Sequence, residues 1–471
     1  MDIHAKGKRW CMHRLTMLAC GLAIGAMASV AVSSQTGPAA NPVVIYEGAR
    51  LILGRASTPP INDGAFVVQD GMIAAIGRKG AVTAPAGAAR VDLTGKTVIP
   101  ALIDVHAHFG YNTIAGQGVR PENYTPENLY DQFQREAFYG VGTVNDGGTA
   151  VVPLSMQFQA DQKAGKYPGA SRYVFAPGIV PPDGGPDEWL IEGSRPLHAN
   201  YAVIKAPEAR AVVQELAAKN IRNVKVWVGD RNGTYPAMPH EVYDAIIEEA
   251  HKHNVKVHAH AMIVRDQKDI LRAGADVIVH IVTTTKIDNE EIALIRDKKP
   301  WWSPNEVSTY RRDPCDPFNT LTLPDTTIAT ICKANAAPAS AEDLATREEM
   351  IKANFQAMRA AGARIVVGTD SGVRNVLTFG SAAHSALAAF VMLGMTPAQA
   401  IEAGTALAAE LLGLTDVGRL ATGTHADFVV LDANPLDNIA NTRRISAVYL
   451  GGAKLDRDAL QAKWKNSPAT R

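Results

Sequence analysis

From Val98 onward, short and almost wholly apolar runs alternate with amphipathic stretches until about residue 412 of this 471-residue chain. Parallel strands read this way, because crossover helices cover both faces of the sheet and leave no solvated side for polar residues. Eight such runs can be counted, at residues 102–108, 142–146, 173–176, 223–228, 255–260, 276–281, 300–304 and 364–370. Helical periodicity lies between most of them: in residues 241–253, Val242, Ala245, Ile246 and Ala250 form one apolar stripe. Eight strands with crossover helices predict an α/β fold, a closed (β/α)8 TIM barrel over residues 99–417, rather than an open sheet.

The flanks have a different rhythm. Residues 42–98 hold short β-rich runs separated by turn signals, among them the Gln69-Asp70-Gly71 step, which suits a tight hairpin. Residues 418–458 return to strands at 426–432 and 445–450. The two flanks together predict a small β-sandwich domain built from the N- and C-terminal segments. Residues 308–341, rich in Pro, Asp and Thr, break the barrel pattern and predict a long excursion after the seventh strand.

Lys plus Arg and Asp plus Glu both number 47, so no overall field favours nucleic acid or an anionic membrane. Lys6, Lys8, Arg9 and Arg14 precede an uncharged run from Leu15 to Val32, the pattern of a secretory signal peptide. Residues 1–28 are expected to be removed after Ala28, with Ser33 as the other cleavage point, leaving a secreted or periplasmic protein with no membrane attachment. An uncleaved anchor is the alternative, since eighteen apolar residues reach the lower limit for crossing a bilayer; the small Ala, Gly and Ser residues argue against it. Cys11 and Cys20 fall in that segment, leaving Cys315 and Cys332 either as a disulfide or as two unrelated thiols.

The chemistry gathers at strand ends. His106 and His108 close the first barrel strand, and side chains two apart on a strand share a face. Lys225, His258 with His260, His280 and Asp370 stand at the ends of later strands. In a parallel barrel all C-terminal strand ends meet at one mouth, so residues more than 250 positions apart become neighbours. Each has a plainer reading: an accidental His-x-His, a paired lysine, a satisfied core histidine, a loop carboxylate. Residue type and strand position together outweigh these. Burial pushes a lysine toward its neutral amine, which can react with carbon dioxide to give a carbamate able to bridge two metals.

These residues resemble the amidohydrolase superfamily, in its subtype with two metals bridged by a carboxylated lysine. Residues 98–108, Val-Ile-Pro-Ala-Leu-Ile-Asp-Val-His-Ala-His, are similar to its first-strand signature, and residues 418–431 to its entry into the C-terminal β segment. Within the family the chain looks closest to the imidazolonepropionase and Xaa-Pro dipeptidase-like branch, which residues 140–148 also fit. The resemblance implies two divalent metal ions, zinc being expected. It places His106, His108 and Asp370 on one ion, His258 and His280 on the other, and carboxylated Lys225 between them. His258 is taken over His260 because family ligands occupy the first position of such a run.

Two cations would acidify a shared water and polarise a carbonyl, while Asp370 moves a proton from the attacking oxygen to the leaving amine. The implied activity is cleavage of an amide C–N bond in a small-molecule or short-peptide substrate such as an N-acyl amino acid or dipeptide. Ester, lactone or phosphotriester hydrolysis on the same site, and an inactive barrel acting as a ligand-binding protein, are the alternatives; a homo-oligomer is left open. Deaminases of the superfamily carry Glu three residues after the strand-five histidine, where this chain has Ala261. Residues 181–189 stand where many dipeptidase-like relatives carry a Gly-Gly-His-Gly run. His260, Arg231, Tyr235 and Trp301, with Trp302, are the candidate substrate contacts.

Overall fold

The computed structural model describes residues 43–114, 119–186, 197, 199–230, 233–335, 340–372 and 378–465. The expected signal segment and Arg231 lie outside the described residues. The N-terminal flank supplies β1 (Val44–Leu51), β2 (Ile61–Gln69), β3 (Met72–Arg78), β4 (Ala89–Asp92) and β5 (Thr97–Pro100). β2 and β3 pair antiparallel with Gln69 opposite Met72, leaving Asp70 and Gly71 as the loop. Their φ values of 50° and 77° are the left-handed pair that a tight hairpin matching the strand twist requires.

The parallel strands follow: β6 (Leu102–Ala107), β7 (Val141–Gly147), β8 (Arg172–Ala176), β9 (Gly178–Val180), β10 (Asn200–Ala202), β11 (Asn223–Trp227), β12 (Lys256–His260), β13 (Val277–Val279), β14 (Trp301–Ser303) and β15 (Arg364–Ile365). β6, β7 and β11 are buried along their whole length, as their apolar sequences require. They form a three-stranded sheet, β6-β7-β8, and a seven-stranded sheet, β10-β9-β11-β12-β13-β14-β15. The expected eighth strand, 364–370, is a ladder only at Arg364–Ile365. Val366 N–H still donates to Trp302 O of β14, but beyond it the backbone turns to the first strand, Thr369 and Asp370 N–H both donating to His106 O. Those bonds place Asp370 beside the first strand.

The C-terminal strands β16 (Phe428–Leu431), β17 (Ile445–Leu450) and β18 (Ala453–Lys454) join the N-terminal ones in one eight-stranded sheet. β5 lies between β1, which it pairs with in parallel, and β16, which it pairs with antiparallel. The two flanks thus share one sheet, in which β4 branches from β1 beside the main path. Its core is aromatic, with Tyr46, Phe66, Phe428 and Tyr449 packed within 5.3 Å of one another in successive pairs. A separate cluster joins Ile103, Val105, Val277, Val279, Trp301 and Val366 to Ala408 and Leu411 of the helix Ala406–Leu412, forming an apolar floor below the strand ends. The excursion after β14 contains the helix Asp325–Asn335 and a Cys315–Cys332 disulfide. Among the described residues no helix is long and apolar enough to cross a membrane.

Candidate metal centre

His106 sits at the end of β6, fully buried, and its Nε2 lies 3.3 Å from Asp370 Oδ1. His108 follows one turn of the strand later, its Nε2 3.2 Å from the same oxygen. One ligand atom from each of the three residues falls within 4.8 Å of the others. Lys225, buried in β11, brings Nζ to 3.4 Å from His106 Nε2 and lies 4.3 Å over the ring of Trp227. His106, His108, Asp370 and Lys225 therefore meet, although they come from three strand ends.

The strand-five pair divides differently from the expectation. Lys225 stands level with His258 and Trp227 level with His260, so both histidines face the same side. His260 is one step nearer the mouth, with its ring 4.4 Å from that of His280, which in turn lies 6.1 Å from His106. His258 sits lower and places Nε2 3.1 Å from Asn223 Oδ1. Burial, then Lys225 and Lys256, push its imidazole down to about 3, a ring kept neutral in the floor of the site. His260, rather than His258, accompanies His280.

His280 directly follows β13 with φ 84°, outside strand geometry, and its orientation is held at both ends. Trp302 Nε1 donates to His280 O at 2.6 Å, and Nδ1 lies 2.9 Å from Glu306 Oε1. The carboxylate acceptor puts the ring proton on Nδ1 and leaves the Nε2 lone pair free, the arrangement common in metal-bound histidines. Asn305 Nδ2 donates to Asp370 Oδ1 at 3.3 Å. Burial opposes ionisation of Asp370, but the hydrogen bonds to His106 and His108 and the nearby His280 hold its carboxyl well below the usual range. Burial and Lys225 hold His106 well below the usual imidazole value.

Space for this cluster comes from glycine. A Cβ at Gly147 would fall 2.2 Å from the His106 ring, and one at Gly148, whose φ is 97°, would strike Trp227 and Lys225. The remaining candidates lie apart. Trp301 opens β14 in the apolar floor with the Arg364 guanidinium 3.5 Å over its ring, and Trp302 uses its indole on the His280 carbonyl, so neither projects from the mouth as a substrate contact would. Tyr235 is half-buried in the loop after β11, its N–H on Asp230 O. Asn305 and Glu306 went unnoticed in the sequence, although they directly follow a predicted strand end, where mouth residues gather. Thr149, whose hydroxyl lies 3.1 Å from His108 Nδ1, carried no such signal.

The donor set fits a divalent cation. Thr149 directs its hydroxyl proton to Asp146 Oδ1 at 2.8 Å, so it can only accept from His108 Nδ1. In the neutral ring the lone pair of His108 Nε2 then faces the Asp370 oxygen at 3.2 Å, a contact that needs a positive charge between the two, either a proton on Nε2 or a bound cation. Two imidazoles and a carboxylate of this kind, at the ends of parallel strands, define a metal-dependent hydrolase site.

Residues 97–455 match the family model described as Amidohydrolase family. The chain belongs to that family. Among characterised relatives it is 26% identical to ochratoxinase of Aspergillus niger over 454 residues, covering 88% of this chain and 86% of that one. It is 39% identical to imidazolonepropionase of Deinococcus radiodurans over 98 residues, 20% of this chain and 24% of that protein. With enamidase of Eubacterium barkeri it shares 25% over 270 residues, 55% of this chain and 62% of the relative, so these last two are matched over less than two thirds of their length. Solved structures share its TIM-barrel-like α/β fold: molinate hydrolase (TM-score 0.69, 20% identity, 89% of this chain and 96% of that one) and a Xaa-Pro dipeptidase with bound methionine (0.67, 21%, 88% and 99%).

Proposed function

We propose that this protein is an exported hydrolase that cleaves the amide bond of an N-acyl amino acid or dipeptide-like substrate at a pair of zinc ions. The observation that carries the reading is the meeting of Asp370 with His106 and His108, with Lys225 Nζ 3.4 Å from His106. His106, His108 and Asp370 would hold one ion, His260 and His280 the other, and Lys225, once carboxylated, would bridge them. When bound, such a pair supplies a Lewis acid for the carbonyl and acidifies water. Asp370 takes the proton of the attacking water as its oxygen adds to the carbonyl carbon, and delivers it to the nitrogen as the C–N bond breaks.

Relatives named ochratoxinase, enamidase and Xaa-Pro dipeptidase support an amide substrate. Position 263, three residues after His260, is Ile, so a deaminase glutamate is missing on this ligand choice as well. The reading takes the two parallel sheets as one closed barrel, supported by the bonds from Val105 N–H to Val367 O and from Lys225 N–H to Pro177 O at their edges. It takes the mixed sheet as the sandwich domain. Export is supported by the charge and hydropathy of residues 1–28 and by the Cys315–Cys332 disulfide, which suits an oxidising compartment.

Metal analysis after growth in zinc, followed by a screen of N-acyl amino acids and dipeptides, tests the proposal. Close to two equivalents of metal and turnover of an amide in preference to the matching ester are expected. Less than one equivalent, or turnover of the ester alone, would overturn it.

A further inference from the structure

Resting on the metal-centre reading above, we propose that Thr149 and Asp146 are positioning residues that decide which nitrogen of His108 is offered to metal. Asp146 ends β7 fully buried and receives two hydrogen bonds that orient it: Thr149 Oγ1 donates to Oδ1 at 2.8 Å, and Tyr173 OH donates to Oδ2 at 3.2 Å. The Thr149 backbone N–H also reaches Oδ1, at 3.4 Å. Tyr173 is itself held by Ser155 at 3.0 Å, and Tyr124 lies 3.0 Å from the same serine.

A threonine hydroxyl has one proton. With that proton committed to Asp146, the oxygen presents only lone pairs to His108 Nδ1, 3.1 Å away. A neutral His108 then carries its proton on Nδ1, and its Nε2 turns a lone pair toward Asp370 and any cation held there. Glu306 performs the same service for His280 directly, at 2.9 Å. At His108 the carboxylate acts one residue removed, through a hydroxyl, and it lies on the neighbouring strand β7, whereas Glu306 lies in the 3-10 helix Asn305–Thr309. Among the described residues His106 has no such partner on its Nδ1, which is buried against Gly147. Control of the tautomer in the three-residue cluster is therefore concentrated at His108.

The test is zinc affinity of the purified holoprotein and its stripped form, read by competition with a chromophoric chelator. Thr149→Val keeps the shape of the side chain and removes the hydroxyl, and it should weaken zinc binding by about tenfold to a hundredfold. Thr149→Ser restores the oxygen and should bind as the parent does. Asp146→Asn should weaken binding too, and the double variant Asp146→Asn with Thr149→Val should be no worse than the weaker single one, because both break one relay. The metal-free thermal midpoints serve as the control for folding.

Parental affinity in Thr149→Val, failure of serine to rescue, or losses that add in the double variant would each overturn the relay. A parent protein that binds no divalent metal would instead sink the metal-centre reading itself, so the two failures are distinguishable.

Discussion

Asp370 is placed to do two things that no neighbour duplicates. Its Oδ1 touches both His106 and His108 while its side chain remains 29% exposed to the mouth, so it can hold an ion and exchange a proton with substrate. Asp370→Asn keeps the shape and loses the base. Turnover is expected to fall by a factor of 100 or more, in the range of about 10²–10⁴ that general acid–base groups supply, with the fold retained by circular dichroism. Comparison of kcat with the parent checks this, and undiminished turnover would remove the proton-transfer role. The ligand types were legible because strand ends converge in this fold whatever their spacing. The choice of His260 over His258 was not, because both face the same side and only their depth separates them. Thr149, Asn305 and Glu306 were missed for a related reason: their partners are set by loop paths, which leave no periodicity to read.

Among the elements, the end of β7 shows how closely strand packing and the site are joined. Gly147 lies where the His106 ring packs, with the nearest ring atom 2.2 Å from where a Cβ would stand. Gly147→Ala must displace that ring or the strand, at a cost of about 1–3 kcal/mol by the usual penalty for overpacking. Zinc affinity is expected to drop at least tenfold, by analogy with other changes that misalign a ligand, while secondary structure is kept; isothermal titration would register it. The Asp70-Gly71 hairpin was readable from its residues alone, since only two positive φ values fit a two-residue loop there. The last parallel strand was not. Residues 367–370 follow the strand without a break in the pattern, yet their backbone N–H groups go to Ala403 and His106 instead of the ladder with β14, and hydrophobicity cannot tell these apart.

Across the whole molecule, His384 links parts of the chain that are remote in sequence. Its Nε2 donates to Tyr139 O at 2.7 Å, after the helix Pro126–Phe138, and its Nδ1 lies 3.1 Å from Thr442 in the C-terminal segment. Burial pushes its imidazole down to about 4. Between about pH 6.5 and 4 the unfolded chain therefore binds a proton there that the folded chain refuses, so stability rises with pH through this window and is lost as pH falls. The contribution is on the order of 3 kcal/mol. His384→Gln should flatten that part of the pH dependence in urea unfolding measured at pH 7 and pH 5; an unchanged slope would show that other groups carry it.

The position of β5 between β1 and β16 has a consequence for the order of assembly. Until Phe428–Leu431 emerges, the flank of Thr97–Pro100 that it will cover remains an open β edge, with Val98 and Ile99 uncovered. Most of the polypeptide must be made before the first strands have their last neighbour. A nascent chain of this design keeps that edge adhesive, and open to the wrong mate, until its final tenth arrives.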